Sequence, residues 1–527
     1  MALIEAPTII GAILERTEET PERFNIAAYA LGRMAASKPD NPALMVFDGS
    51  SHEPSDVWTY ASLEDAVLRT KNGLQSLGIK LGDRVLLRMG NSVWFPIMYF
   101  ACLAGGFVPV ATSDGLTQRD LDHIADDCRP IIIAHDGATL LPSKSVGAKI
   151  MGPEDLHFIS QSPLGLYART YSYDPAYLIY TDGTSGPPRG VLHAHRALWG
   201  RLGLQKEWLG LSSKDRVLHT GADSWARSIG SGLMDPFCHG AASILLSAPE
   251  LRSLFGKALP ILVELTAATQ VMAMPKHYRQ ALRSGAVENT PMPSMTRAVS
   301  SGAILPANIT EQWQVATKRP LYDGYELAEI ACPIYSGSAC AVKPGAIGKP
   351  GTGRKVAVLA PDAGLKNVAI NQIGVIATHR SDPALMLSYW NDAAATKAAV
   401  RGAWFLSGDL GKRDQDGYIQ YEGRLDALVN VEGYRANPEE IEAIISELPG
   451  VQDVAVAEGA IPGRGIGLVA YVVALPGATL APNELNRNLA PLLVDYKRPQ
   501  KWIEVDGLPR TGSGKLARFA LAQAIAA

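Results

Sequence analysis

The sequence predicts an α/β protein with two domains. A large N-terminal domain of mostly parallel, helix-flanked sheets carries a β subdomain, and a small α+β domain follows it. Three observations predict this. Short apolar strands alternate with helix-length segments until about residue 345, where glycines, turns and short β-branched runs take over. At Pro438 the texture changes again, to helices and longer strands. The 527 residues also exceed what one ordinary core can use.

Arg84–Leu87 follows the turn Leu81-Gly82-Asp83 and reads as a strand. Trp94–Ala104 reads as a helix, with Pro96 tolerable in the first turn, where its missing N–H is not needed. After Gly105-Gly106 comes the strand Phe107–Ala111, then the helix Asp120–Asp127 and the buried strand Pro130–Ala134. This alternation implies a largely parallel sheet covered on both faces. The rhythm returns in the strand Ala242–Leu246, the helix Ile261–Ala268 and the strand Ala298–Ser301. Lys355–Leu359 and Gly374–Thr378 are short strands of an antiparallel subdomain. Pro438-Glu-Glu-Ile-Glu opens a helix with acids in its first turn, where they suit the dipole. Val451–Ala457 and Gly467–Ala474 are strands, and the helix Pro482–Ala490 stops before Pro491. The boundary is placed in Gly423–Ala427, giving domains 1–425 and 426–527.

Apolar residues make up 47%, charged residues 19%, and the formal net charge is −3. Neither sign dominates, which argues against nucleic-acid and membrane-surface partners. No apolar run reaches membrane-spanning length. Cys102, Cys128, Cys238, Cys332 and Cys340 are scattered, with no CxxC spacing, so a reducing cytoplasm is the expected compartment. The acidic N-terminal stretch makes a poor signal peptide, and Ile-Ala-Ala at the end is no peroxisomal address.

Tyr180 to Gly190 reads YTDGTSGPPRG, between a strand candidate (Tyr177-Leu-Ile-Tyr) and the helical-looking Ala197–Leu209. Glycines let backbone N–H groups approach an anion, and hydroxyls add donors. It is not a Walker A sequence. Composition alone leaves a phosphate cradle and a plain surface turn equally open.

The stretch resembles the [ST]SGTTGxPKG signature of the adenylate-forming superfamily, which includes acyl-CoA synthetases, peptide-synthetase adenylation domains and beetle luciferases. Further resemblances follow in the family's order. Tyr325-Glu-Leu-Ala-Glu329 resembles YGxTE, and Gly345-Ala-Ile-Gly-Lys-Pro350 resembles GxxGxP. Ser407-Gly-Asp409 resembles TGD, and Gly423-Arg-Leu-Asp426 with Gly433-Tyr-Arg435 resembles the GRxDD…GxR hinge. Leu508 to Arg518 (LPRTGSGKLAR) resembles the terminal PxTxxGKxxR. Phe24-Asn-Ile-Ala and Leu233-Met-Asp-Pro-Phe look most like the medium-chain acyl-CoA and aryl-CoA ligase branch.

The resemblance implies an AMP-forming carboxylic acid–CoA ligase that uses ATP, Mg²⁺ and coenzyme A, with 426–527 as a mobile lid. A carboxylate first attacks the α-phosphate of ATP; CoA thiol then attacks the acyl-adenylate. Two anions must meet in the first step, so charge neutralisation is required. The resemblance carries roles onto particular residues. Lys515 bridges carboxylate and α-phosphate, while Glu329 and Thr184 serve the metal. Thr181, Asp182, Gly183, Thr184, Ser185, Gly186 and Arg189 form the phosphate loop. Asp323, Gly324 and Tyr325 lie against the nucleotide, with Tyr325 stacking on adenine. Asp409 meets the ribose hydroxyls, and Arg424 the ribose or a phosphate. Asp426 is the hinge, and Gly433 and Tyr434 border the pantetheine path. The acyl pocket takes Trp225, Arg227, Ser301, Gly302 and Ala303, with Arg227 favouring an acid that bears a polar or anionic substituent. His193 and His195 are expected to pack near the entrance.

The departures are specific. Asp182 stands where Ser or Thr is usual, Arg189 where Lys is usual, Glu326 for Gly and Ala328 for Thr. Arg189 keeps the charge but replaces a point charge with a planar fork. Ala328 removes a hydroxyl ordinarily offered to the α-phosphate. Two other readings remain open at this stage: loading of a carrier-protein thiol, and a non-catalytic nucleotide-binding descendant. The expected partners are a small carboxylic acid, ATP and CoA, in a monomer or homodimer.

Overall fold

The computed structural model describes residues 20–181, 188–220, 228–360, 364–425, 429–431, 434–461, 465–510, 516–518 and 521. They fall into two compact units. The first takes in residues up to Thr181, Pro188–Val356 and Thr378–Phe405; the second takes in Ala357–Ala377 and residues from Leu406 on.

The first unit is α/β, as the alternating pattern implies. One seven-stranded sheet runs in the order Ser388–Tyr389, Gly190–Ala194, Pro175–Tyr180, Val108–Ala111, Arg84–Arg88, Ile132–His135, Lys149–Met151. Its last five strands are parallel, and the first two are added antiparallel. A nine-stranded sheet is parallel from Leu321–Leu327 through Arg297–Ser301, Gln270–Ala273, Arg216–His219 and Ala242–Leu246 to Pro42–Phe47. Trp94–Gly105 is apolar all round and buried along nearly its whole length, as such a helix must be. Gly106 ends it at φ 69°, a left-handed value that glycine adopts without strain.

One expectation fails here. Ala197–Leu209 is not one helix but two short ones, Arg196–Trp199 and Leu202–Glu207. They part at Gly200, where a Cβ would collide with the Ala384 backbone. The residues just before them form the strand Gly190–Ala194, which the sequence reading missed. Beyond residues 221–227, which lie outside the described residues, a π-type turn Ser228–Met234 runs into the helix Asp235–His239. Gly230 lies against the Arg201 guanidinium, which makes a buried two-pronged pair with Asp235 at 2.5–3.1 Å.

A further sheet follows, in which Trp404–Arg413 lies beside Gly374–His379 and pairs antiparallel with Ile419–Arg424. In the second unit the helix Pro438–Ile445 is capped by Asn437, whose side chain accepts the Glu439 N–H. It packs with the hairpin Val451–Ile461 and Gly465–Ala474 around a core that includes Ile441, Ile445, Val454 and Val472. All five cysteines are buried and free. No described helix is long and apolar enough to cross a membrane.

Candidate active site

The glycine-rich loop leaves its sheet as a hairpin, with Tyr180 opposite Gly190. Asp182, Gly183, Thr184, Ser185 and Gly186 lie outside the described residues, but the stem is defined. Thr181 N–H donates to the Arg189 carbonyl at 2.9 Å, and Thr181 Oγ1 accepts the Arg189 N–H at 3.0 Å. Tyr180 donates its phenol to Asp127 Oδ2 at 2.6 Å, and His123 Nε2 meets the Pro188 carbonyl at 3.0 Å.

Arg189 is the cation at the loop exit. Its Nε lies 3.4 Å from Asp392 Oδ2, and its guanidinium sits 5.0 Å from the Tyr389 ring centroid. Tyr389 donates its phenol to Glu329 Oε1 at 2.8 Å. Burial, and then the negative charge of Glu329, push the Tyr389 pKa up, so the phenol keeps its proton. Residues 189 and 329, far apart in sequence, thus belong to one cluster. The backbone around Glu329 is also held: Met386 N–H donates to the Glu329 carbonyl at 2.8 Å, and His193 Nε2 to the Ala328 carbonyl at 2.7 Å. His193 stacks on Tyr177 at 4.8 Å. Burial lowers its pKa to about 4 and that of His195, whose Nδ1 accepts the Ile26 N–H, to about 3. Both imidazoles are neutral near pH 7 and serve packing.

Arg297–Ser301 and Leu321–Leu327 lie parallel, with Ser301 opposite Gly324. Ser301, Gly302 and Ala303 therefore stand at the carboxyl end of one strand, beside Asp323, Gly324 and Tyr325 on the next. Open α/β sheets take ligands at such ends. Gly302 turns the chain at φ 84°. Asp323 is buried, and its Oδ1 has no hydrogen-bond partner among the described residues. Desolvation pushes its pKa well above the carboxylate range. A buried acceptor left this way fits a donor brought by a ligand. Gly324 also has a packing reason, because a Cβ there would run into the Trp208 ring. Ser301 Oγ donates to Glu326 Oε2 at 2.7 Å.

Asp409 and Arg424 are register partners across antiparallel strands, Nη1 to Oδ1 at 3.6 Å. Asp409 is buried, and Tyr434 opens a short strand paired with Val431. Lys515, Asp426, Gly433, Trp225 and Arg227 lie outside the described residues. The stem of the lysine loop is defined: Arg510 and Leu516 form a β-bridge, and Ala517 N–H donates to the Pro509 carbonyl at 2.9 Å. Arg510 pairs with Asp453, and Arg518 with Glu442 at 2.5 Å and Glu439 at 3.6 Å.

Sequence reasoning missed Tyr389, Asp392 and Glu442. Asp392 carried a signal, since an acid ahead of the alanine run 393–399 reads as an N-cap, and its side chain does accept the Ala395 N–H. Tyr389 and Glu442 carried none.

Residues 31–390 match the family described as AMP-binding enzyme, and residues 440–515 match the AMP-binding enzyme C-terminal domain. The chain is 27% identical to 3-hydroxybenzoate–CoA ligase of Aromatoleum sp. (strain CIB), across 89% of this chain and 92% of that protein. It is also 27% identical to benzoate–CoA ligase of Thauera aromatica, across 96% and 97%. Among solved structures, ATP-bound MatB from Rhodopseudomonas palustris superposes with a TM-score of 0.82 at 26% identity, covering 95% of this chain and 99% of that one. The anthranilate CoA ligase AuaEII, solved with anthranoyl-AMP, shares the fold with a TM-score of 0.84 at 24% identity, covering 96% and 98%. With more than half its length matched by the family's main domain, the chain belongs to the AMP-binding enzyme family.

Proposed function

We propose that this protein activates an aromatic carboxylic acid with ATP and passes the acyl group to coenzyme A. It is an AMP-forming acid–thiol ligase. A carboxylate oxygen attacks the α-phosphorus, the bond to pyrophosphate breaks, and a mixed anhydride forms. The thiolate of CoA then attacks its carbonyl carbon, and AMP leaves with the bonding electron pair.

The carrying observation is the cluster that joins loop-exit Arg189 to Glu329 through Tyr389. A phosphate loop needs a cation and a metal-binding carboxylate brought to one place. Glu329, with Thr184, would hold Mg²⁺, which offsets phosphate charge when bound. No group of three His, Cys, Asp or Glu able to hold a metal occurs among the described residues. Mg²⁺ that keeps water and phosphate oxygens needs only one or two protein carboxylates, so Glu329 fits. Asp323 supplies an acceptor for the adenine amine, Tyr325 a face for the ring, and Asp409 with Arg424 the ribose contact. Lys515 neutralises the meeting anions, Asp426 is the hinge between 1–425 and 426–527, and Gly433 admits the pantetheine arm.

The names of the relatives support an aryl substrate, and Arg227 supports one with a polar or anionic substituent. The reading includes a cytoplasmic location. The test supplies benzoates with and without such substituents, ATP, Mg²⁺ and free CoA, and follows pyrophosphate, AMP and thioester. Pyrophosphate and AMP should both appear without a carrier protein, and Arg227→Leu should reverse the preference for substituted acids. No pyrophosphate with any acid rejects the reading.

A further inference from the structure

We propose that Tyr389 and Asp392, on one short turn, are positioning residues that hold Glu329 and Arg189 in fixed register. The inference rests on the reading of Glu329 as the Mg²⁺ carboxylate.

The turn is pinned before its side chains act. Tyr389 pairs with Val191 on the strand that leaves the phosphate loop, and Trp390 N–H donates to the Gly190 carbonyl at 2.7 Å. Trp390 Nε1 and Asn391 Nδ2 both donate to the Asp127 carbonyl, at 3.1 and 3.0 Å. Asp127 is also the residue that accepts the Tyr180 phenol at the loop entrance. Asn391 has φ 52°, a left-handed value that bends the chain sharply just before Asp392.

From that frame two side chains reach out. Tyr389 fixes one oxygen of Glu329 at 2.8 Å. A glutamate has three side-chain torsions, and ordering them on metal binding would cost free energy that a pre-set donor removes in advance. Asp392 divides its carboxylate: Oδ1 accepts the Ala395 N–H at 2.8 Å, and Oδ2 faces Arg189 at 3.4 Å. The cap orients the carboxylate, so the charge toward Arg189 has a fixed direction. The Arg189–Asp392 pair is half-exposed, and such pairs add little stability. Its value lies in aiming the guanidinium, which also lies over the Tyr389 ring and so ties the two contacts together.

The experiment uses the full-length protein with α,β-methylene-ATP and Mn²⁺, reading free Mn²⁺ by electron paramagnetic resonance. ATP–pyrophosphate exchange and thermal melting run alongside. Tyr389→Phe keeps the ring and removes only the donor; Mn²⁺ affinity should fall about tenfold or more, with melting nearly unchanged. Asp392→Asn keeps the cap acceptor and removes the charge; KM for ATP should rise several-fold while Mn²⁺ affinity holds, and Asp392→Glu should restore part of the loss. Wild-type Mn²⁺ affinity in Tyr389→Phe, with Glu329→Gln weakened, overturns the brace while sparing the metal reading. Unchanged Mn²⁺ affinity in Glu329→Gln overturns both. Variants that only melt earlier make the turn structural, which also overturns the proposal.

Discussion

The stem of the glycine loop, in the first unit, and the stem of the lysine loop, in the second, are closed by different chemistry. The first stem is a hairpin continuous with a buried sheet, closed by Thr181, Tyr180 and His123 through hydrogen bonds. The second is closed by one β-bridge and then by ion pairs, Arg510 to Asp453 and Arg518 to Glu442 and Glu439. A sheet-borne stem depends weakly on salt and pH, whereas an ionic stem depends on both. The stem beside the proposed phosphate loop is held by packing, and the stem beside the proposed catalytic lysine by charge.

The largest effect expected from this contrast is at Lys515. If the second stem exists to deliver that ammonium, Lys515→Ala should cut adenylate formation by about 10³-fold. Thioester formation from supplied acyl-adenylate should survive. Equal losses in both half-reactions would make the lysine structural, and the comparison between two phosphate-facing loops would collapse.

Next comes Arg518. Arg518, three residues from Lys515, pairs with the mostly buried Glu442; Arg518→Ala removes that pair, and displacement on the order of 1 Å costs up to about 10²-fold. Adenylation should therefore fall roughly 10- to 100-fold, with thioesterification from supplied adenylate near wild type. Arg518→Lys should recover only part, because a point charge cannot meet Glu442 and Glu439 together. Full activity in Arg518→Ala would show that the bridge alone suffices.

Glu442 sharpens the comparison through pH. It is mostly buried, with Arg518 and Glu439 facing it and the Val456 N–H donating at 2.6 Å. Burial outweighs the Arg518 charge and pushes its pKa from 4.5 to about 7. Between those values the native state holds a proton that the unfolded chain has released. This group's contribution to stability therefore falls as pH rises through that window. The ion pair with Arg518 needs the ionised form, so the stem tightens as pH passes about 7. The two signs are opposite: adenylation rises with pH while the stability contribution falls. Glu442→Gln should flatten both curves, as read by pyrophosphate exchange and melting at matched pH. Parallel curves for wild type and variant would remove Glu442 from the mechanism.

What was legible in the sequence follows from range. Arg84–Arg88 and Ile132–His135 were readable because a buried parallel strand is a short apolar run with turn residues beside it. Gly190–Ala194 was not, because GVLHA runs straight into a helical-looking segment. That segment's two helices part at Gly200, which lies so close to the Ala384 backbone that a Cβ would collide with it, a contact no local pattern announces. The motif residues were nameable by resemblance, since loop chemistry demands particular residue types. Their supports were not, because Tyr389 to Glu329 and Arg518 to Glu442 are pairings created only by folding.

The smallest effect is expected at Tyr180, and it tests the other half of the comparison. Its phenol donates to Asp127 Oδ2 at 2.6 Å, and burial first of all raises its pKa, so it is a neutral donor throughout the working range. Tyr180→Phe keeps the buried ring and deletes one hydrogen bond to a carboxylate, a loss of about 1.5–3 kcal/mol at most. Asp127 does not become an orphan, because Oδ1 still accepts from Asn391 Nδ2 at 3.1 Å. The loss should therefore lie at the lower end, about 1.5 kcal/mol, or roughly 1–2 °C in melting temperature for a chain of this size. Pyrophosphate exchange should drop only slightly, and its pH profile and salt response should match wild type. A stem held by sheet packing predicts that indifference. If Tyr180→Phe instead became strongly salt- or pH-sensitive, the first stem would be as electrostatic as the second, and the contrast between the two loops would be lost.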